Sequence, residues 1–381
     1  MNLKYLRTQF PHTAHTIYMN HAALGPLSVP VKNAIERFVT ERHGEHIENW
    51  FAFMEVLAGT KDRLATLIGT TAARIEFMPN TSYGLNVLAQ GLDWQPGDRI
   101  AVPACEFPAN VYPFMNLRKR GVEVDFVPHM DATFLLEDVA AALTPRTRLL
   151  TVSFVQFLSG FRADLSAIGA LCKEKDVIFC VDAIQGLGAL QLDVEACGVD
   201  FLACGGHKWL MATAGTGFIY VTEVLQARLS PMAGWLHGPV DWENFFDYAL
   251  EFHPDAERFR LGNTNNIGIA ALHAALGLHL EAGQAWCERQ VLARARELTE
   301  GLQVLGLKRF GTDDPRYASG IATFSHPSAE ALFAYLSERR IHVAMRNRLL
   351  RFAPSYYNSE DEVRRVIDAV KSYDQGVMQP G

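Results

Sequence analysis

The sequence predicts an α/β fold built on a mainly parallel sheet, with a smaller α+β unit toward the C-terminus. Three observations carry this prediction. Between about residues 60 and 222, short apolar runs alternate with amphipathic stretches, as strand–helix–strand units do when helices cover both faces of a sheet. The unusual polar residues of that region follow the apolar runs directly, and open α/β sheets hold ligands beyond the carboxyl ends of their strands. The chain has 381 residues, too many for one small core, so a large domain accompanied by a smaller one is expected.

Residues 99–102, 123–127 and 149–152 read as strands, and so do 177–181, 201–204 and 217–221. Each is a short apolar run rich in β-branched or aromatic side chains and closed by polar or glycine residues. The stretch 165–175 has helical spacing between two of them. Residues 78–86, Met-Pro-Asn-Thr-Ser-Tyr-Gly-Leu-Asn, read as a loop that opens a helix. A long Ala- and Leu-rich helix is expected over 267–283, with Gly262-Asn263 as its start signal. Beyond it, 328–339 and 359–373 read as helices, the second opened by a capping box in which Ser359 precedes Glu362 by three residues. The expected division is a large domain of residues 18–260 and a small domain of residues 1–17 and 261–381, with the N-terminal extremity packed on the small domain.

Composition excludes several classes. Hydrophobic residues make up 49% and charged residues 20%, ordinary for a globular protein. The net charge is −7, and the densest basic cluster, 339–351, is broken by apolar residues, so no nucleic-acid partner is expected. No stretch reaches the ~20 apolar residues of a membrane span, and no secretory leader is evident. The six cysteines show no CxxC pair and no zinc spacing, so neither a metal site nor disulfides are expected. Cys172, Cys180 and Cys204 read as reduced packing residues, and a cytoplasmic location follows.

The chemistry concentrates at the strand ends. Lys208 stands in Gly205-Gly206-His207-Lys208-Trp209, after an apolar run. Partial desolvation there would lower its pKa and make it a better amine nucleophile toward an aldehyde. Asp182 closes another apolar strand, in Val181-Asp182-Ala183-Ile184-Gln185. A carboxylate in that place needs a cation or strong donors, and a protonated pyridine nitrogen would serve, with Gln185 in reach of a ring oxygen. Thr81, Ser82 and Tyr83 begin a helix, where free N–H groups and the helix dipole favour an anion, and His207 could complete a phosphate cup. Glu106 and Phe107 follow one strand and Gln156 another; an aromatic such as Phe107 can stack on a planar ring. Arg351, in an apolar strand, suits bidentate capture of a carboxylate.

Together these residues resemble the class-V aminotransferase family of fold-type-I enzymes dependent on pyridoxal 5′-phosphate (PLP). The resemblance spans nearly the whole chain, on Asp182-Ala183-Ile184-Gln185, Gly206-His207-Lys208, Arg351 with Tyr357-Asn358, and the segment 18–27 that carries His21 and Ala23. It implies a seven-stranded-type sheet, Lys208 as the Schiff-base lysine, and Asp182 against the pyridinium nitrogen. It further implies Gln185 at the ring oxygen, Ser82 and His207 at the phosphate, and Phe107 stacked on the ring. Arg351 would hold the substrate carboxylate, with His21 and Ala23 lining the substrate pocket. Members are typically homodimers, and Asn263 or Thr264 would reach the partner's phosphate.

Departures from the family pattern bear on the reaction. Desulfurases carry a nucleophilic cysteine shortly before the arginine strand, but residues 341–350 hold none and the last cysteine is Cys287. The short loop there leaves no long lid over the pocket. Phe107 stands where desulfurases often have histidine. These features resemble the C–S-lyase and epimerase-like branches. A lyase acting on a sulfur-containing or similar amino acid is the leading expectation, followed by an aminotransferase or epimerase and, more remotely, a non-catalytic PLP-fold binding protein. A nucleotide-binding enzyme is the other remote alternative, and the motifs disfavour it: Gly186-Leu187-Gly188 lacks the third glycine of a dinucleotide fingerprint, and Trp209 stands where a P-loop needs Ser or Thr. Arg162, Arg346, Arg348, His21 and Trp235 are the candidates for the side-chain pocket.

Overall fold

The computed structural model describes residues 2–377. Thirteen strands occur among them: β1 (Ile17–Tyr18), β2 (Ile75–Met78), β3 (Arg99–Pro103), β4 (Glu123–Val127), β5 (Thr147–Ser153), β6 (Ile178–Asp182), β7 (Phe201–Gly205), β8 (Gly217–Val221), β9 (Lys308–Phe310), β10 (Ala322–Ser325), β11 (Ile341–His342), β12 (Ala344–Arg346) and β13 (Leu349–Phe352). Seven form the large sheet, in the order β2-β8-β7-β6-β5-β3-β4. Neighbours from β7 through β6, β5 and β3 to β4 run parallel, while β8 is antiparallel to both β7 and β2. The central strands β6, β7 and β8 are buried along their whole length, which explains why they read as unbroken apolar runs.

The expected strands are all present, with ends shifted by a residue or two. The strand β2 was not expected. Its Glu76 is fully buried and bonded to Lys61 at 2.8 Å and to Arg260 at 3.0 Å, so a charged residue sits in the sheet on the strength of distant partners. The helix Asn266–Ala282 is capped by Asn265, whose side chain accepts from the Gly268 N–H, rather than by Gly262-Asn263. It packs on the helices Val29–Thr40 and Trp50–Ile68. Residues 229–255 form a long connection without helix or strand, in which Trp242 contacts Trp235 and Trp50 edge-on.

A four-stranded antiparallel sheet, β12-β13-β10-β9, forms the second layer system. The helices Ala329–Glu338 and Glu360–Val377 pack together beside it. The capping box at the second helix is formed: the Ser359 N–H donates to Glu362 and the Glu362 N–H donates to Ser359 Oγ. The first residues of the chain dock onto this unit. β1 pairs with β11, Arg7 bonds Glu362 at 2.8 Å, and Phe10 stacks on Tyr357 with ring centroids 4.1 Å apart. Among the described residues, no helix is long and apolar enough to cross a membrane.

Candidate active site

At the carboxyl ends of β3, β5, β6 and β7 lies a cavity of about 320 Å³. Its floor and walls gather Lys208, Asp182, Gln185, His207, Thr81, Ser82 and Phe107, with Arg351 and Arg346 from the smaller sheet and Ala23 from the N-terminal segment.

Lys208 sits just after β7 and β8 closes against it. Burial is the main force that brings its amine down to about 8; Asp182 opposes the shift, and Arg351 and Arg346 add to it. Its Nζ lies 5.7 Å from the centre of the Phe107 ring. The N-terminal segment seats directly on this turn: the Gly25 N–H donates to the His207 carbonyl at 2.8 Å, and a Cβ on Gly25 would overlap the carbonyl oxygen of Lys208. Only glycine lets that backbone approach so closely.

Asp182 ends β6 and is buried. Its carboxylate accepts one hydrogen bond within the protein, from the Ile184 N–H at 3.0 Å. Desolvation raises it to about 7; the Ile184 bond and Lys208 pull the other way, and Glu106 reinforces the rise. Gln185 is oriented beside it, its amide donating to the Ala22 carbonyl at 2.9 Å and accepting from Trp209 Nε1 at 3.0 Å. One amide hydrogen remains for a ligand.

The helix Thr81–Gly91 opens onto the cavity. Asn80 caps it by accepting from the Tyr83 N–H. Thr81 is buried and its hydroxyl has no hydrogen-bond partner among the described residues. Orphan helix N–H groups, a buried hydroxyl and nearby His207 make a cradle for an anion. Phe107 lines the cavity and remains 45% exposed, its ring in a T-shaped contact with Phe157, centroids 5.2 Å apart. Glu106 pins that loop. It accepts from the Ser153 N–H at 2.6 Å, from the Ser153 hydroxyl, and from Gln156 Nε2 at 2.7 Å.

Arg351 is buried and donates from Nη1 to the Phe157 carbonyl at 2.6 Å, while its Nε has no partner among the described residues. Burial, and then Arg346, bring its guanidinium down to about 10. A buried cation without a carboxylate partner is a binding site for one.

Several expected residues stand elsewhere. His21 is fully buried, with both ring nitrogens used, at 2.7 Å to the Ala353 carbonyl and 2.6 Å to the Tyr357 hydroxyl. Burial takes it down to about 3, and it fastens the N-terminal segment instead of lining the cavity. Tyr83, Asn263 and Thr264 line a different cavity, of about 190 Å³, beside Gly215 and Thr216. Arg162 is paired with Glu288 at 3.0 Å, Arg348 turns a hairpin, and Trp235 packs by Trp242. Sequence reasoning quoted Asn80 and Ala22 only within longer motifs and missed Ala109 as a cavity residue; small or capping side chains carry no chemical signal of their own.

The residues present fit PLP. The underpaired, buried Asp182 suits a protonated ring nitrogen, the Thr81 hydroxyl and helix N–H groups suit a phosphate, and the depressed Lys208 amine suits an aldehyde.

The family model described as Aminotransferase class-V matches residues 17–365. The probable cysteine desulfurase of Methanothermobacter thermautotrophicus is 28% identical over 335 residues, 85% of this chain and 82% of the relative. The uncharacterized aminotransferase YcbU of Bacillus subtilis is 26% identical over 96% of both chains. Among solved structures, the cystine C–S lyase C-DES in complex with its product cysteine persulfide superimposes with a TM-score of 0.87 at 26% identity, over 94% of this chain and 98% of that one. A lysine-to-alanine variant of C-DES, with glycine covalently linked to the PLP cofactor, has the same TM-score at 25% identity, over 95% and 98%.

Proposed function

Because the chain belongs to the aminotransferase class-V family of PLP enzymes, we propose that it is a lyase that eliminates a β-substituent from an amino acid at this cavity. One observation carries the reading. A depressed, buried amine and a buried, uncompensated guanidinium face the same cavity, and no cysteine lines it. An amino acid is what offers both a carboxylate and an acidic α-hydrogen to that pair.

When bound, PLP supplies an electron-accepting ring that stores the pair left at the substrate α-carbon. Asp182 would keep the ring nitrogen protonated. Thr81, Ser82 and the helix N–H groups would hold the phosphate, with Phe107 beside the ring. Arg351 fixes the substrate carboxylate. Lys208 takes the α-proton as general base. Elimination needs this one base, whereas inversion at the α-carbon needs a second proton donor on the other side. Desulfuration through an enzyme persulfide needs a cysteine at the cavity, and none is among the described residues that line it. We propose a homodimer in which Asn263 or Thr264 serves the partner's phosphate.

The test is the visible spectrum and product analysis of the PLP-loaded enzyme with a panel of L-amino acids. Elimination is expected to turn over repeatedly, releasing keto acid, ammonia and the β-substituent without an added amino acceptor. Turnover that stalls after one cycle and resumes on addition of a keto acid would make the enzyme an aminotransferase. Absence of any cofactor band with excess PLP would sink the reading altogether.

The depressed Lys208 amine sets a pH dependence. Its neutral fraction grows as pH rises through about 8, not through the ordinary 10.5. Borohydride fixation of PLP onto Lys208 in the cofactor-free protein should therefore speed up with pH and level off a little above 8. A half-point near that of a free lysine would mean a solvated amine.

A further inference from the structure

Arg351 makes one hydrogen bond among the described residues, from Nη1 to the Phe157 carbonyl at 2.6 Å. A long side chain held at one point takes its direction from that point, so the loop that carries Phe157 sets the place of the guanidinium. This loop follows β5 and is gripped from both sheets. On the side of the smaller sheet, Thr323 in β10 stands opposite Arg351 in β13. The two side chains take consecutive carbonyls of the loop: Thr323 Oγ1 donates to Leu158 at 2.5 Å, and Arg351 donates to Phe157. On the side of the large sheet the grip comes from Glu106.

Glu106 stands where the large sheet opens. The register between β3 and β5 ends at Ala101 and Leu150, while β5 continues beside β6 as far as Ser153, opposite Asp182. In that opening the Ser153 N–H donates to the Glu106 carboxylate at 2.6 Å, in place of a strand carbonyl. The same oxygen accepts from Gln156 Nε2 at 2.7 Å, and the other accepts from the Ser153 hydroxyl. Gln156 is fully buried and its Oε1 has no partner among the described residues, so the bond to Glu106 is what orients its amide. One residue further along each loop, the rings of Phe107 and Phe157 meet edge-on. A line of contacts thus runs from Glu106 through the Gln156 amide and the Phe157 carbonyl to Arg351.

We infer that Glu106 is a positioning residue for the substrate carboxylate: it does not line the cavity, and it acts by holding the loop whose carbonyl aims Arg351. This rests on the reading of Arg351 as the group that takes that carboxylate. Without Glu106, the Gln156 amide is a buried polar group with neither atom bonded. Such a group is costly unless the chain shifts to pair it, and the adjoining Phe157 carbonyl shifts with it. Glutamine can replace Glu106 without this cost. Its oxygen can face the Ser153 N–H and Gln156, and its amide can face the Ser153 hydroxyl, which turns to accept.

The experiment titrates unreactive propionate calorimetrically into the PLP-loaded wild type and variants. Gln156→Leu removes the link and leaves both Ser153 bonds; Glu106→Ala removes all three. Each is expected to weaken propionate about tenfold, the scale of one charge-assisted contact. Glu106→Gln should bring the affinity back to within about threefold of wild type. In turnover the loss should appear in KM with kcat nearly unchanged, as when an interaction made equally in ground and transition states is removed. The Arg351→Lys background supplies the second readout. There Gln156→Leu should weaken propionate no further, because a loss routed through Arg351 disappears with it. Unchanged propionate affinity in both Gln156→Leu and Glu106→Ala overturns the inference. So does a loss of the same size in the Arg351→Lys background, or wild type that binds no propionate. Propionate affinity that follows Gln156 in an enzyme that turns over no amino acid would keep Glu106 in this role and refute the lyase reading; elimination with a KM that neither variant moves does the reverse.

Discussion

Replacing Lys208 by alanine is expected to abolish measurable turnover, by four or more orders of magnitude, while PLP still binds. The expectation follows from the two tasks that fall on one amine. Removing a base alone costs about 10²–10⁴ in rate, and removing a covalent group that acts with it costs more, since residues working as a unit fail together. The helix N-terminus at Thr81, proposed to hold the phosphate, and the Asp182 carboxylate are held by bonds that do not involve Lys208, so the cofactor should remain bound noncovalently, with the absorption of free PLP displaced only slightly. Dialysis against buffer distinguishes the outcomes. Retained PLP with no turnover supports the assignment; turnover within about a hundredfold of wild type would mean that another group removes the α-proton. Lys208→Arg, which keeps the charge without a usable amine, should be as inactive as the alanine variant.

Asp182→Asn is expected to push function and stability in opposite directions. In the cofactor-free protein, burial moves this carboxylate from 3.8 to about 7. A folded-state pKa raised above the unfolded value means that the group's contribution is fully present below about 3.8 and is lost as pH rises through about 7. At pH 8 the ionised carboxylate is therefore a liability, on the order of 4 kcal/mol at 1.36 kcal/mol per unit. Asparagine cannot ionise and escapes it. Thermal melts of the cofactor-free proteins should show the variant more stable by several degrees at pH 8 and the difference vanishing near pH 4. With PLP bound the order should reverse, because the amide cannot neutralise a ring cation, and kcat should fall by at least about a hundredfold. Equal melting of the two cofactor-free proteins at pH 8 would show that Asp182 already has a cation beside it.

The same logic explains what could be read in advance. Strands β6, β7 and β8 were readable because both faces are buried, so composition alone marks them. The strand β2 was not, because Glu76 interrupts its apolar pattern. What makes that glutamate tolerable is Lys61 and Arg260, 15 and 184 residues away in sequence. Lys208, Asp182 and Arg351 stood out because charged residues next to apolar strands need a reason. His21 stood beside a similar motif, yet its polarity is consumed by Ala353 and Tyr357, 332 and 336 positions later. Arg162 likewise finds Glu288. In each miss the deciding partner is remote in the chain, and local pattern carries no trace of it. Arg346 sits between these cases: its presence was readable, but its sharing a face with Arg351 needed the strand register.

The N-terminal segment that seats on Lys208 has a consequence for how the protein is made. Arg7, Phe10, β1 and His21 find their partners at Glu362, Tyr357, β11 and Ala353. These contacts of residues 7–21 therefore wait until residues 341–362 have been made. Contacts of such sequence separation form late, since the closure entropy of the long loop must be met first. The large sheet can assemble during synthesis, because strands β2 to β8 are complete by residue 221. The segment that seats on the Lys208 turn is then fastened at its far side only when residues 341–362 have joined it.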